Sequence, residues 1–257
     1  MKSRLKDIRG VIFDIDGVLT FQGRVYPGAV EVVDALREKG IVLRFLTNST
    51  LNSRASAAEK LRKSGFHVDD EEVITASYAT AEYLRSLHPR SCWVMVERRG
   101  IDEFAGFTQD FENPEYIVVG DNRSKFDFDH MNKAVRLLMR GARLIAMQSE
   151  LLDTSMGDIE LNVGSWVGLL ERASGVQAVS IGKPNPYAFE LALHGMDLAK
   201  SQVLVVGDRL STDVQGAKDF GLRSALVKTG EFDERDLDGD LQPDYVFERI
   251  EELTRLF

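Results

Sequence analysis

The chain has 257 residues, enough to bury a full core and close to the size at which one domain becomes two. Its 44% hydrophobic and 28% charged content is that of an ordinary globular protein, and no apolar run reaches the roughly 18 to 20 residues of a membrane span. The formal charge of −9, with no basic block, argues against nucleic-acid binding, which needs clustered Lys and Arg to neutralise phosphates.

Taken in chain order, Val11 to Ile15 is a short apolar run followed by a glycine turn and predicts a strand. Pro27-Gly28 opens a helical pattern with Val30, Val33 and Leu36, stopped by Gly40. Ile41 to Leu46 is almost wholly apolar, as expected of a strand covered on both faces. Asn52 or Ser53 can cap the next helix, which carries Leu61 inward and ends at Gly65. Two such units imply a parallel sheet with right-handed crossovers. In the middle, Trp93 to Val96, Ile117 to Val119 and Leu144 to Ala146 predict strands, and Met131 to Met139 a helix. The C-terminal part returns to the opening style. Strands are expected at Val179 to Ile181, Val203 to Val206 and around Ala225 and Val227, with helices over Tyr187 to His194 and Val214 to Phe220, the second ended by Gly221. A single sheet of about nine strands would accommodate these elements. A doubly wound parallel α/β core interrupted by a second, smaller α/β unit fits the length better.

The most informative segment is VIFDIDGVLT, because ligands of an open parallel sheet bind beyond the carboxyl ends of its strands. Asp14 and Asp16 sit where the first strand runs out, and period-two spacing points both side chains the same way if the backbone is still extended. A solvated Asp-Gly turn is the plainer alternative. LVVGDRLSTDV repeats the situation: Asp208 emerges from a buried-type strand, and Asp213 follows just before a helix that it could also cap. Carboxylates converging on one sheet edge repel each other unless a hard cation sits between them, and oxygen-only ligands point to Mg²⁺. Thr47, after the second strand, has a hydroxyl that can hold phosphate oxygens, and Lys183 in SIGKPNP offers a local positive charge. Either one alone would read as a turn threonine or a surface lysine.

The order DIDGVLT, LTNST, GKPNP, GDRLSTD resembles the four motifs of the haloacid dehalogenase superfamily. YPGAVEVVDALREKG, TNSTLNSR and GKPNPYAFE are similar to the subgroup of NagD-like and p-nitrophenyl-phosphatase-like enzymes. The resemblance implies a catalytic core of residues 1–77 and 181–257 and an inserted α/β cap of residues 78–180. It implies a phosphatase acting on small-molecule phosphate esters, with Asp14 as nucleophile and Asp16 as general acid and base. Thr47 and Lys183 would hold the phosphate and Asn48 would help orient the site. Mg²⁺ would be held by Asp14, the Asp16 backbone carbonyl and Asp208, with Asp213 steadying its waters or Lys183. Dehalogenases of the superfamily lack an aspartate two residues after the nucleophile, since halide leaves without a proton, so Asp16 favours phosphoryl transfer. To act as an acid near neutral pH it must hold its proton above the usual carboxylate range. A phosphotransferase or phosphomutase with the same nucleophile is the main rival, and a phospho-accepting signalling module a more distant one.

Other features are expected to be inert. Cys92 lies in the apolar run SCWVMV, a lone thiol without a disulfide partner, and the four histidines show no ligand spacing. YIVVGDNRSKFDFD mimics the later aspartate motif, but Asp121 falls in the expected cap, where Asp127 and Asp129 better suit a helix start near His130. DLDGDLQPD, counted from Asp236, places Leu241 and Phe247 where a calcium loop needs its Gly and Glu, with Pro243 between them. In the cap this chain reads IAMQSELLD where many relatives carry an Ala-Thr-Asn-Pro-Asp segment; the stretch Gln148 to Gly164 is the expected specificity region, and Met156 or Trp166 could touch substrate. Relatives with this cap often dimerise through it, which leaves a homodimer open. The N-terminal MKSRLKDIRG has no signal-peptide run, so a cytoplasmic address is expected.

Overall fold

The computed structural model describes residues 7–154 and 158–257. It divides into two compact units: the chain up to Thr47 with Ala58–Ile74 and Lys183–Phe257, and Asn48–Ala57 with Thr75–Gly182.

From the N-terminus come β1 (Gly10–Phe13), the hairpin β2 (Thr20–Phe21) and β3 (Arg24–Val25), α1 (Ala29–Glu38), β4 (Val42–Thr47), α2 (Arg54–Lys63) and β5 (Val73–Thr75). The middle holds α3 (Ala76–Ser86), β6 (Cys92–Met95), β7 (Tyr116–Val119), α4 (Phe128–Met139), β8 (Arg143–Ala146), the hairpin β9 (Leu152–Asp153) and β10 (Glu160–Leu161), α5 (Val163–Ser174) and β11 (Ala178–Ser180). The C-terminal part has α6 (Pro186–Leu193), β12 (Val203–Gly207), a π-helical turn at Leu210–Val214, α7 (Gln215–Phe220), β13 (Arg223–Val227) and β14 (Tyr245–Phe247). Among the described residues no helix is long and apolar enough to cross a membrane.

The first unit is built on a six-stranded sheet of order β14-β13-β12-β1-β4-β5. β1 pairs in parallel with β12 on one side, Phe13 opposite Val206, and with β4 on the other, Phe13 opposite Phe45. The chain therefore winds outward through β4 and β5, returns to the other flank of β1, and winds outward again through β13 and β14. The strand order reverses between β1 and β12, and in open α/β sheets that is where ligands bind. β1 and β12 are buried along their whole length, the apolar strand type of a sheet covered on both faces.

The second unit has its own parallel sheet, order β11-β8-β7-β6. Its core joins Trp93, Met95, Ile117, Val119 and Leu144 to the inner stripe of α4, namely Met131, Ala134, Leu137 and Leu138, at the three-and-four spacing of an amphipathic helix.

Several elements depart from the sequence-based expectation. β1 stops at Phe13 rather than Ile15, because the chain turns there: the Ile15 carbonyl accepts from Leu19 N (2.9 Å) and Thr20 N (3.0 Å). The condition for Asp14 and Asp16 to share a side is thus unmet, and Asp14 is buried while Asp16 is exposed. The strand expected at Val179 to Ile181 is β11, and it pairs with β8 in the second sheet rather than with the core. The helix before Gly221 is split: Leu210–Val214 form a π-helical turn and α7 starts at Gln215. Ser53, not Asn52, caps α2, accepting from Ser56 N at 3.2 Å. Asp127 caps α4, accepting from His130 N at 2.8 Å.

Candidate active site

Four ionisable side chains meet at the switch point of the first unit. Asp14 follows β1, and its N–H still donates to Val206 O at 2.8 Å, so it lies level with the end of β12. Asp208 follows β12 directly, and Asp213 lies in the π-helical turn beyond it. Lys183 precedes α6, and its ammonium Nζ stands 2.7 Å from Asp14 Oδ1 and 2.7 Å from Asp213 Oδ1. Each of the four residues is at most 7% exposed. Asp14, Asp208 and Asp213 each offer a carboxylate oxygen within 4.8 Å of the others, a spacing that could hold a metal ion.

Local chain geometry is tuned to this crowding. A Cβ on Gly207 would lie 2.2 Å from the Asp213 Cβ, so only glycine lets the π-helical turn fold back over the end of β12. The Asp213 carboxylate does not cap α7: Oδ1 faces Lys183, while Oδ2 accepts from Arg209 N and Thr212 Oγ1, both at 3.3 Å. Gly17 takes φ +94°, which a side chain would resist, and a Cβ there would meet Asp208 Oδ2 at 2.0 Å.

The electrostatics are short of positive charge. With all four groups ionised, three carboxylates against one ammonium leave two net negative charges in a buried space. Burial drives the Asp14 carboxyl well above its usual range; Lys183 opposes this and Asp213 and Asp208 add to it. Burial, with Asp213 beside it, pushes Asp208 up to about 7. Burial alone would pull the Lys183 ammonium down, but Asp14 and Asp213 outweigh it and hold the lysine charged. Asp208 Oδ2 accepts from Glu231 N at 2.8 Å, whereas its Oδ1 is buried with no hydrogen-bond partner among the described residues. A buried, unsatisfied carboxylate oxygen beside two further carboxylates is what a hard divalent cation would satisfy.

The remaining sequence candidates are spread more widely. Thr47 ends β4, buried, one strand over from Asp14. Asp16 is exposed in the turn after β1. Asn48 belongs to the second unit, where its Oδ1 lies 2.6 Å from the position a Cβ on Gly182 would take. Asp121 also belongs to the second unit; its N–H donates to Thr50 Oγ1 at 2.9 Å and its carboxylate faces Arg123. Gln148 to Gly164 contains the β9–β10 hairpin, with Leu151, Leu152, Ile159 and Leu161 exposed; Met156 lies outside the described residues. The Trp166 ring packs against Phe126, centroids 4.9 Å apart. What sequence reasoning missed is the segment after β13: Thr229 Oγ1 donates to Gly17 O at 2.6 Å, and Glu231 supplies the N–H on Asp208. The rule that sites gather at strand ends would have drawn attention to it.

Known proteins share this arrangement of chain. A family model described as haloacid dehalogenase-like hydrolase matches residues 11–108, and a HAD-hydrolase-like model matches residues 180–253. The phospholysine phosphohistidine inorganic pyrophosphate phosphatase of Danio rerio is 35% identical over 234 residues, covering 89% of this chain and 86% of the relative. This chain belongs to the haloacid dehalogenase-like hydrolase family. The ribonucleotide monophosphatase NagD of Escherichia coli K12 is 32% identical over 249 residues, covering 96% of this chain and 98% of NagD. The solved p-nitrophenyl phosphatase of Archaeoglobus fulgidus is 33% identical, with a TM-score of 0.91, covering 98% of this chain and all (100%) of the other. The hydrolase therefore falls in the NagD-like subgroup of the superfamily, and its parallel α/β fold is that of the p-nitrophenyl phosphatases.

Proposed function

We propose that this hydrolase is a Mg²⁺-dependent phosphatase that cleaves small-molecule phosphate monoesters through an aspartyl-phosphate on Asp14. The observation that carries the reading is the buried cluster itself: Lys183 bridges Asp14 and Asp213 at 2.7 Å each, while Asp208 Oδ1 is left without a partner among the described residues. The phosphatase names of the Danio rerio, Escherichia coli and Archaeoglobus fulgidus relatives support the reaction class.

The all-oxygen donor set suits Mg²⁺, with Asp14, Asp208 and the Asp16 backbone carbonyl to hold it. When bound, the ion supplies positive charge that offsets repulsion between the phosphate dianion and the attacking carboxylate. The chain's own groups do the rest. Lys183 and the Thr47 hydroxyl bind the phosphate oxygens, and Lys183 keeps its charge because two carboxylates hold it. An Asp14 oxygen bonds to phosphorus as the ester P–O bond breaks, and Asp16 gives a proton to the departing oxygen. Water then attacks the same phosphorus, losing its proton to Asp16. The Asp14–phosphorus bond breaks, releasing inorganic phosphate and restoring the carboxylate. Asp16 is exposed, so it can exchange protons with leaving group and water, and the raised proton affinity its acid role requires has to come from neighbouring carboxylate charge rather than burial.

The test is a screen of phosphorylated metabolites with Mg²⁺ and with EDTA, beside Asp14→Asn. Steady release of inorganic phosphate without an added acceptor is expected, lost in EDTA and reduced at least about 10³-fold in the variant. Activity that survives Asp14→Asn, or phosphate that moves only to an added alcohol, would contradict it.

A further inference from the structure

We infer that the segment Thr229–Glu231, after β13, is a clamp that sets two of the oxygen donors proposed for Mg²⁺, with Thr229 as its positioning residue. The inference rests on the functional reading above and extends it to residues outside the four motifs.

Two peptide planes around Gly17 are pinned. The Gly17 N–H donates to Thr20 O at 2.7 Å, and because the Asp16–Gly17 peptide is planar this also fixes the direction of the Asp16 carbonyl. The Gly17 carbonyl is held on its other side by the Thr229 hydroxyl at 2.6 Å. Two residues on, the Glu231 N–H donates to Asp208 Oδ2 at 2.8 Å, so Oδ1 remains the oxygen available to a cation. Between them, the Gly230 N–H donates to Tyr26 Oη at 2.9 Å, which ties the segment to the chain after β3. Glu231 is itself anchored by an ion pair with Arg209, the residue after Asp208.

The contact leaves no slack. A Cβ on Gly230 would lie 2.1 Å from Asp208 Oδ2 and 2.4 Å from the Gly17 Cα. One short segment therefore touches both the backbone turn carrying the Asp16 carbonyl and the Asp208 carboxylate, and it fixes their relative position. Thr229 acts through Gly17, with a β-branched side chain whose χ1 is stiff. Groups that orient metal ligands in this way typically change metal affinity by about 10- to 100-fold when removed.

The experiment titrates Mg²⁺ into metal-stripped full-length protein by calorimetry, for wild type, Thr229→Val and Thr229→Ser, with melting temperature in EDTA as a control for folding. Thr229→Val keeps the shape and loses the donor. It is expected to weaken Mg²⁺ binding about tenfold, while Thr229→Ser, which keeps the hydroxyl, stays within about twofold of wild type. At saturating Mg²⁺ the kcat of Thr229→Val should return close to the wild-type value. Should the valine variant not fold, Tyr26→Phe removes the acceptor for Gly230 N–H and carries the same expectation. Unchanged Mg²⁺ affinity in the folded variant, with only a lower melting temperature, would reduce the segment to a structural tether and overturn the inference alone. Wild-type protein that takes up no Mg²⁺ would overturn the inference and the functional reading together.

Discussion

Lys183 is the residue on which the cluster's balance turns, since its Nζ is the one cation in direct contact with both Asp14 and Asp213 among the described residues. Removing one partner of a buried ion pair leaves an uncompensated charge in a poorly solvated space, at a cost of about 3 to 5 kcal/mol. Lys183→Met would leave three carboxylates facing one another, so its free energy of unfolding, from urea titration with EDTA present, should fall by that order relative to wild type, with a lower midpoint. A midpoint unchanged by the substitution would show that the lysine contributes little to holding the carboxylates together. Lys183 also illustrates what a sequence hides. A single lysine after a strand has no local signature that separates it from a solvated one, and only the order of the surrounding motifs singled it out. Thr229 is more deeply hidden, because its hydroxyl meets a carbonyl 212 positions away and leaves no periodic trace.

At the scale of elements, β6 shows how burial governs chemistry away from the site. Cys92 is fully buried in the second sheet, with Gln109 Nε2 donating to its Sγ at 3.5 Å. Burial, only partly offset by that donor, pushes the thiol from 9.0 up to about 11. The unfolded chain then loses this proton at lower pH than the folded one, so the stabilisation is fully present below pH 9 and is lost as pH rises toward 11. Stability measured by urea unfolding should fall across that window in wild type and less so in Cys92→Ala, and the native thiol should resist alkylation near neutral pH. Equal pH dependence in the two proteins would count against this. The apolar character of β6, β7, β8 and β12 made them legible as strands, since buried parallel strands carry near-continuous hydrophobic runs. Their partners were harder: β11 is an edge strand with a half-exposed pattern, and nothing local says which of two sheets it joins. The three-residue β14 passed unnoticed for the same reason, its short run giving no period to read.

On the scale of the whole molecule, the site depends on chain segments far apart in sequence. Asp14 follows the first strand, Lys183 comes from the return after the second unit, Asp208 follows the strand that pairs with β1 on its other side, and Asp213 lies in the π-helical turn beyond it. The doubly wound order puts β1 and β12 side by side where the winding reverses, which brings Asp14 and Asp208 together, and the π-helical turn folding back over Gly207 adds Asp213. This much could be anticipated from two apolar strands that each end in an aspartate. The turn that separates Asp14 from Asp16 in burial could not, because it depends on where the extended backbone stops. On the proposed reading, this gathering leaves Asp14 able to accept a phosphoryl group. Rapid acid quench of wild-type protein during turnover of a cleaved phosphate ester, followed by peptide mass spectrometry, tests it most directly. The expected result is one phosphoryl group on the peptide containing Asp14, absent from Asp14→Asn; a phosphoryl group on any other residue, in a protein actively releasing phosphate, would rule Asp14 out as the nucleophile.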